Sequence, residues 1–321
     1  MRERLPFPDP ELDREEEAWW NAHAAVVEAI WAMEEPVRHA IRTPYLERAR
    51  RFFLKGAGAL PITLLEVGCG SGWVCRMIAD RDRLRILGLD IAEEQIRLAK
   101  ENAARDGLAD ACEYRCQNLA DFTVQDAHAV SAVFIHAILH HLSWQEIRSV
   151  LGQLKALGAG TRIFIYEPVY LADPERGTLP DTRAARRARF LAALPHRARA
   201  LFDGLFRPRR DLAVVERVQA LVRDAQRQGR ILSPKEVVFR EAEILGALGE
   251  IGEVTERYLC NHTTITIAQY ATTLRSPFLQ RLFTATVLPL ADWVDRTLFA
   301  DGQIPAVTRE YVFMGYHCVV R

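Results

Sequence analysis

Three glycines at alternate positions, Gly68, Gly70 and Gly72, follow directly on the apolar run Leu64-Leu65-Glu66-Val67. Glycine enters left-handed turns and tolerates a close ligand at no steric cost, so this spacing reads as a strand whose exit lies against a bound molecule. A second apolar run, Ile86-Leu87-Gly88-Leu89, ends in Asp90. An acid about twenty residues beyond the glycines is where a nucleoside ribose finds its acceptor. Together the two runs predict a nucleoside-containing cofactor at the edge of a parallel sheet. The dinucleotide fingerprint needs its third glycine at position 73, where Trp73 stands. A phosphate-binding loop is disfavoured as well, since no Gly-Lys-Ser/Thr follows.

The Glu66-x-Gly68-x-Gly70-x-Gly72 turn resembles motif I of the class I S-adenosylmethionine-dependent methyltransferases. The resemblance continues in register to about residue 168, a third of the chain. It implies that the glycine backbone lies against the methionine part of the cofactor. It implies also that Asp90 binds the ribose hydroxyls, that Ile91 packs on the adenine, and that Asn118 accepts from the adenine amino group, where many members have Asp. Glu66, Leu119 and His136 complete the implied cofactor set, and S-adenosylhomocysteine is the implied product.

These residues need elements to hold them. Alternating strand and helix patterns predict an α/β fold: a doubly wound, mostly parallel seven-stranded sheet with helices on both faces. Later strands are expected at 113–119, 132–142 and Arg162–Pro168. Residues 1–56 read as a helical N-terminal cap starting near Asp13, punctuated by Pro36 and Pro44, and able to close over the cofactor. Residues 57–168 form the cofactor half. Residues 169–232 are an arginine-rich helical insertion, with fourteen arginines against seven acids, expected to be a solvated helix face or a lid for an anionic substrate. Residues 233–321 return to the sheet and carry a second insertion at 260–307. There Ser233-Pro234-Lys235-Glu236 predicts a capping box and a helix to about Leu248. A strand follows near Val254–Leu259, then a Phe278–Phe299 helix interrupted by Pro289, which could be a lid, a dimer face or an interfacial membrane helix. A last antiparallel strand, Tyr311–Val320, is expected at the sheet edge.

In open parallel sheets ligands bind beyond the carboxyl ends of the strands. His141, His140 and Glu167 are therefore the candidate catalytic residues. No metal is expected, because a strand-to-helix change between His136 and His140 breaks their four-residue spacing. Net charge is zero, and no motif of the nucleic-acid-modifying branches is present, so a nucleic-acid partner is not expected. The six cysteines form no C-x-x-C pair, as suits a reducing cytosol. No apolar run reaches the length of a membrane span, and residues 1–10 lack the apolar core of a signal peptide. A cytoplasmic location and possible homo-oligomers follow as expectations. The expected activity is methyl transfer to an oxygen or nitrogen of a small metabolite, natural product or sugar, anionic if the arginine-rich insertion is its lid. Two alternatives are a methyltransferase working on a lipid or glycan intermediate at the membrane surface, and an inactive cofactor-binding partner or sensor.

Overall fold

A computed structural model describes residues 3–31, 35–56, 61–80, 82–118, 130–171, 233–260, 276–300 and 312–321, together with 220, 221 and 227. Two helices come first, α1 (Pro10–Trp31) and α2 (Glu35–Leu54). The start of α1 lies three residues before Asp13, because Asp9 Oδ1 accepts the Glu11 and Leu12 amides at 3.0 and 3.2 Å and caps the helix there. Neither Pro36 nor Pro44 divides α2, which runs through both.

The sheet follows: β1 (Ile62–Val67), α3 (Trp73–Arg76), β2 (Leu84–Asp90), α4 (Glu93–Arg105), β3 (Cys112–Cys116), β4 (Val130–His136), α5 (Trp144–Ala156) and β5 (Arg162–Tyr170). Then come β6 (Phe239–Arg240), α6 (Glu241–Gly249), β7 (Gly252–Cys260), α7 (Pro277–Ala300) and β8 (Val312–Val320). The strand order is β3-β2-β1-β4-β5-β8-β7, with the two-residue β6 beside the end of β5. The first five strands pair in parallel, and β8 pairs antiparallel to both β5 and β7. Chain order reverses between β1 and β4, the switch point where such sheets bind ligands.

The parallel strands are buried on both faces, which is why they read as unbroken apolar runs. Leu65, Val67, Val133, Ile135 and Ile163 face a core closed by α5 and α6. Leu64, Ile86, Phe134 and Phe164 face the other core, with Leu46, Phe53 and Ile96 from α2 and α4. Burying one such side chain contributes about 1.5–3 kcal/mol.

Four further sequence expectations change in the structure. The Ser233–Glu236 segment is not a helix start. Glu236 Oε2 accepts the Ser233 amide at 3.3 Å, but the chain bends into β6, and α6 begins only at Glu241, where Glu243 caps the Arg240 amide at 2.6 Å. Pro289 does not interrupt α7, which is continuous and carries it internally. The edge strand is β7 rather than β8, because β8 inserts between β5 and β7. Finally, β5 extends past Pro168 to Tyr170, with Pro168 opposite Phe313. Glu167 therefore lies inside the strand rather than at its tip. Most of the arginine-rich insertion, and residues 261–275 and 301–311, lie outside the described residues.

Candidate functional site

The exit of β1 turns through three left-handed glycines, with φ of +68°, +51° and +67° at Gly68, Gly70 and Gly72. A Cβ on Gly68 would stand 2.5 Å from Ile138, and one on Gly72 2.5 Å from the Tyr114 hydroxyl. Packing demands these two. Gly70 differs: the nearest atom to its Cβ position is the tip of Gln95 at 3.8 Å. There the open side is free for a ligand to approach the backbone. Gly68→Ala should lower stability by about 2–4 kcal/mol, from a left-handed penalty plus overpacking against Ile138. Thermal unfolding of the variant checks this, and a change below 1 kcal/mol (a fraction of the overpacking cost) would contradict it.

Asp90 holds this turn from the end of β2. Its Oδ2 accepts the Gly70 amide at 2.8 Å and its Oδ1 the Ala92 amide at 2.9 Å. Burial pushes its pKa up, against the pull of those two amides. Each carboxylate oxygen retains a further acceptor position. Ile91 is half-buried, and its carbonyl lies 3.4 Å from the Cys116 thiol. Asn118 is exposed at the exit of β3, and Leu119 lies outside the described residues. Glu66 is 1% exposed, beneath the turn. Burial raises its carboxyl to about 8, outweighing the Cys75 hydrogen bond.

The exit of β4 is also strained. Ala137 has φ of +55°, and its amide donates to the Tyr166 carbonyl at 2.7 Å. The next turn, Leu139–His141, is pinned by Glu167, whose Oε1 accepts the Ile138 and Leu139 amides at 2.9 and 2.7 Å. Its Oε2 lies 2.7 Å from His140 Nδ1, and His140 Nε2 is 3.5 Å from Glu236. Burial alone would lower the His140 pKa, but the charge and hydrogen bond of Glu167 outweigh it and raise it to about 9. His141 Nδ1 lies 2.9 Å from Glu16 Oε1 and 3.0 Å from Ser233 Oγ. Glu16 would be raised by burial, yet its bonds to His141, the Lys235 amide and Ser233 bring it down to about 2.

The structure thus gathers His140, His141 and Glu167 into one polar network, each at most 6% exposed. Glu167, both ring nitrogens of His140 and Nδ1 of His141 are engaged in contacts that hold elements together. His136 is placed differently. It is half-buried at the carboxyl edge, along with Gly68, Gly70, Asp90 and Ile91. Its Nε2 lies 3.1 Å from the Tyr45 hydroxyl, and its ring stacks on Tyr166 at 4.4 Å with an interplanar angle of 1°. Trp73 meets it edge-on at 5.7 Å. Among the described residues no three His, Cys, Asp or Glu side chains are grouped to hold a metal ion.

Sequence reasoning missed the residues by which α1 reaches across this edge. Glu28 accepts from the Ser71 hydroxyl and, at 3.1 Å, from Asn102 of α4. Asn21 Oδ1 accepts the Glu94 amide at 3.1 Å, serving the start of α4. At the other end Glu16 holds His141 and Ser233, while Lys235 reaches Asp13 at 2.5 Å and Glu146 at 3.1 Å. Glu16 could have been singled out, as it sits four residues before Trp20 on the inner face of the helix and accepts its indole N–H at 2.8 Å.

Residues 64–158 match the family model of a methyltransferase domain. The ubiquinone biosynthesis O-methyltransferase of Neisseria meningitidis is 30% identical over 79 residues, 25% of this chain and 33% of that protein. The 27-O-demethylrifamycin SV methyltransferase of Amycolatopsis mediterranei is 26% identical over 171 residues, 49% of this chain and 62% of that protein. The chain therefore spans about a third of the first relative's length and less than two thirds of the second's. Among solved structures, geranyl diphosphate C-methyltransferase from Streptomyces coelicolor, crystallised with S-adenosylhomocysteine, superposes with a TM-score of 0.54 at 13% identity. That match covers 98% of this chain and 99% of the other.

Proposed function

We infer that this chain, whose residues 64–158 match the model of a methyltransferase domain, binds S-adenosylmethionine and transfers its methyl group to an oxygen or nitrogen of a small acceptor. The observation that carries this reading is the Gly70–Asp90 unit. One carboxylate fixes the turn's central amide at 2.8 Å, while the Cβ side of that glycine stays open. Two relatives named above lend support to it: one is an O-methyltransferase of ubiquinone biosynthesis and the other a methyltransferase of 27-O-demethylrifamycin SV.

The cofactor supplies an activated methyl on a sulfonium, which leaves as S-adenosylhomocysteine when the new bond to the acceptor forms. This chain's residues then have two tasks. Gly68–Gly72, Asp90, Ile91 and Asn118 hold and orient the donor. Positioning the acceptor supplies most of the rate, because an in-line displacement depends on alignment and approach. The acceptor's proton needs a second group. His136 serves best, being half-buried at the same edge with Tyr45 against its Nε2. His140, His141 and Glu167 position the β4 turn, rather than exchanging protons with the acceptor. No described helix is long and apolar enough to cross a membrane.

Calorimetry with S-adenosylmethionine, S-adenosylhomocysteine and NAD tests the donor: the first two should bind and NAD should not. A panel of phenolic, hydroxyl and amine acceptors with methyl-labelled donor then tests transfer. His136→Gln should lower kcat by about 10²–10⁴-fold, the usual contribution of a general base, with unchanged donor affinity. Lost donor binding in that variant would instead place His136 in the cofactor shell. Binding without transfer to any acceptor would favour a sensor role.

A further inference from the structure

Nothing in the methyl-transfer reading uses the outer face of α7. Apart from Phe7, every large exposed apolar side chain among the described residues belongs to it: Phe278, Leu279, Leu282, Leu290 and Trp293. Phe278 is 71% exposed and Leu290 60%. At 3.6 residues per turn the five fall within one arc about 120° wide, running roughly 23 Å along the helix. The opposite side is buried through Leu288, Ala291, Val294 and Asp295, where α7 packs on α2 and β7. An exposed apolar stripe of this kind marks an interaction surface.

We propose that this face docks antiparallel onto the same face of a second copy of the chain. Charge placement selects that occupant. Arg281 and Asp292 lie on one edge of the stripe, five and six residues either side of Thr286 near its midpoint. A two-fold axis through that midpoint brings Arg281 of each copy against Asp292 of the other, so the pair forms twice. A parallel two-fold would put the charged edges of the two copies on opposite sides of the seam, with Arg281 and Asp292 eleven residues apart along it, so neither pair could form. To within one residue, the same axis places Leu282 against Leu290 and Phe278 against Trp293. At the crossing stand the small exposed residues Ala285 and Thr286, which let two helices approach closely. The Thr286 hydroxyl donates to the Leu282 carbonyl at 2.7 Å, so closing the contact strands no donor there. Asp292 already meets Arg296 of its own helix at 3.0 Å and would bridge two cations in the dimer. One helix pair covers less than the ~800 Å² per partner of a standard interface, so the association depends on concentration.

Sedimentation velocity on the full chain, from low to high micromolar concentration, tests this independently of any catalysis. The wild type should pass from monomer to dimer. Leu282→Glu with Leu290→Glu should leave only monomer, with helix content and thermal midpoint unchanged. Arg281→Asp and Asp292→Arg should each weaken the dimer by about tenfold, and the two together should restore most of the loss, as expected for exposed pairs formed twice. A wild type that stays monomeric at every concentration overturns the proposal. So does a dimer indifferent to the leucine changes, or a dimer whose single charge variants are not rescued in combination. Monomeric wild type that co-sediments with phosphatidylcholine vesicles assigns the face to lipid, and likewise overturns it.

Discussion

Asp90→Ala is expected to remove most donor binding. One part of the loss is the acceptor for a ribose hydroxyl, about 1.5–3 kcal/mol for a hydrogen bond to a charged group. A second part is structural. The carboxylate fixes Gly70 at 2.8 Å and Ala92 at 2.9 Å, so alanine also releases the turn that presents its backbone to the donor. The two parts together predict a fall in affinity of more than about 100-fold. Asp90→Asn separates them: its side-chain oxygen can still accept one amide, so the turn should survive while affinity drops by about tenfold. Gly70→Val should match the alanine change or exceed it, because a side chain would fill the open approach from a backbone at φ +51°. Calorimetry of all three variants gives the readout, and unchanged affinity in Asp90→Ala and Gly70→Val would remove the basis for the donor assignment.

Glu167→Gln is expected to cost about 3–5 kcal/mol of stability, the usual penalty for breaking a buried ion pair from one side. The lower end is more apt, because Glu236 stands 3.5 Å from the far nitrogen of His140 and keeps part of the compensation. The pH dependence carries a signature. His140 has a folded pKa raised to about 9 from an ordinary 6.5. Its contribution is therefore complete below pH 6.5 and is lost as pH rises through 9. Glu16, lowered to about 2 from 4.5, contributes fully above pH 4.5 and loses its part as pH falls through 2. Urea unfolding should find a maximum between these limits and a decline towards pH 9. In Glu167→Gln the alkaline decline should flatten. An identical slope in both proteins would detach His140 from the stability of this turn.

The parallel half of the fold was legible because its signals are local. Apolar runs name β1, β2, β4 and β5, and the glycine spacing with Asp90 names the switch point. What escaped the sequence reading was long-range. Glu167 looked like a strand tip because Pro168 follows it, yet a proline can continue a strand where a partner does not need its amide. Ser233–Glu236 has the pattern of a helix cap, but its groups are claimed by Glu16, which is 217 positions away from Ser233, and by His140. The aromatic setting of His136 depends on Tyr45 and Tyr166, from α2 and β5. No spacing rule within β4 could have found those partners.

The placement of β8 bears on how the chain reaches this state during synthesis. Both of its neighbours, β5 and β7, precede it in sequence, and among the described strands β7 pairs only with β8. Until β8 is made, β5 offers an unpaired, apolar edge to whatever is nearby, and β7 has nowhere to dock. Such edges are templates for intermolecular pairing, and long-range closure of this kind is slow. The vulnerable interval on the ribosome is thus the time needed to translate from Tyr170 to Val320. Within that interval a chaperone that masks strand edges should raise the yield of native protein most.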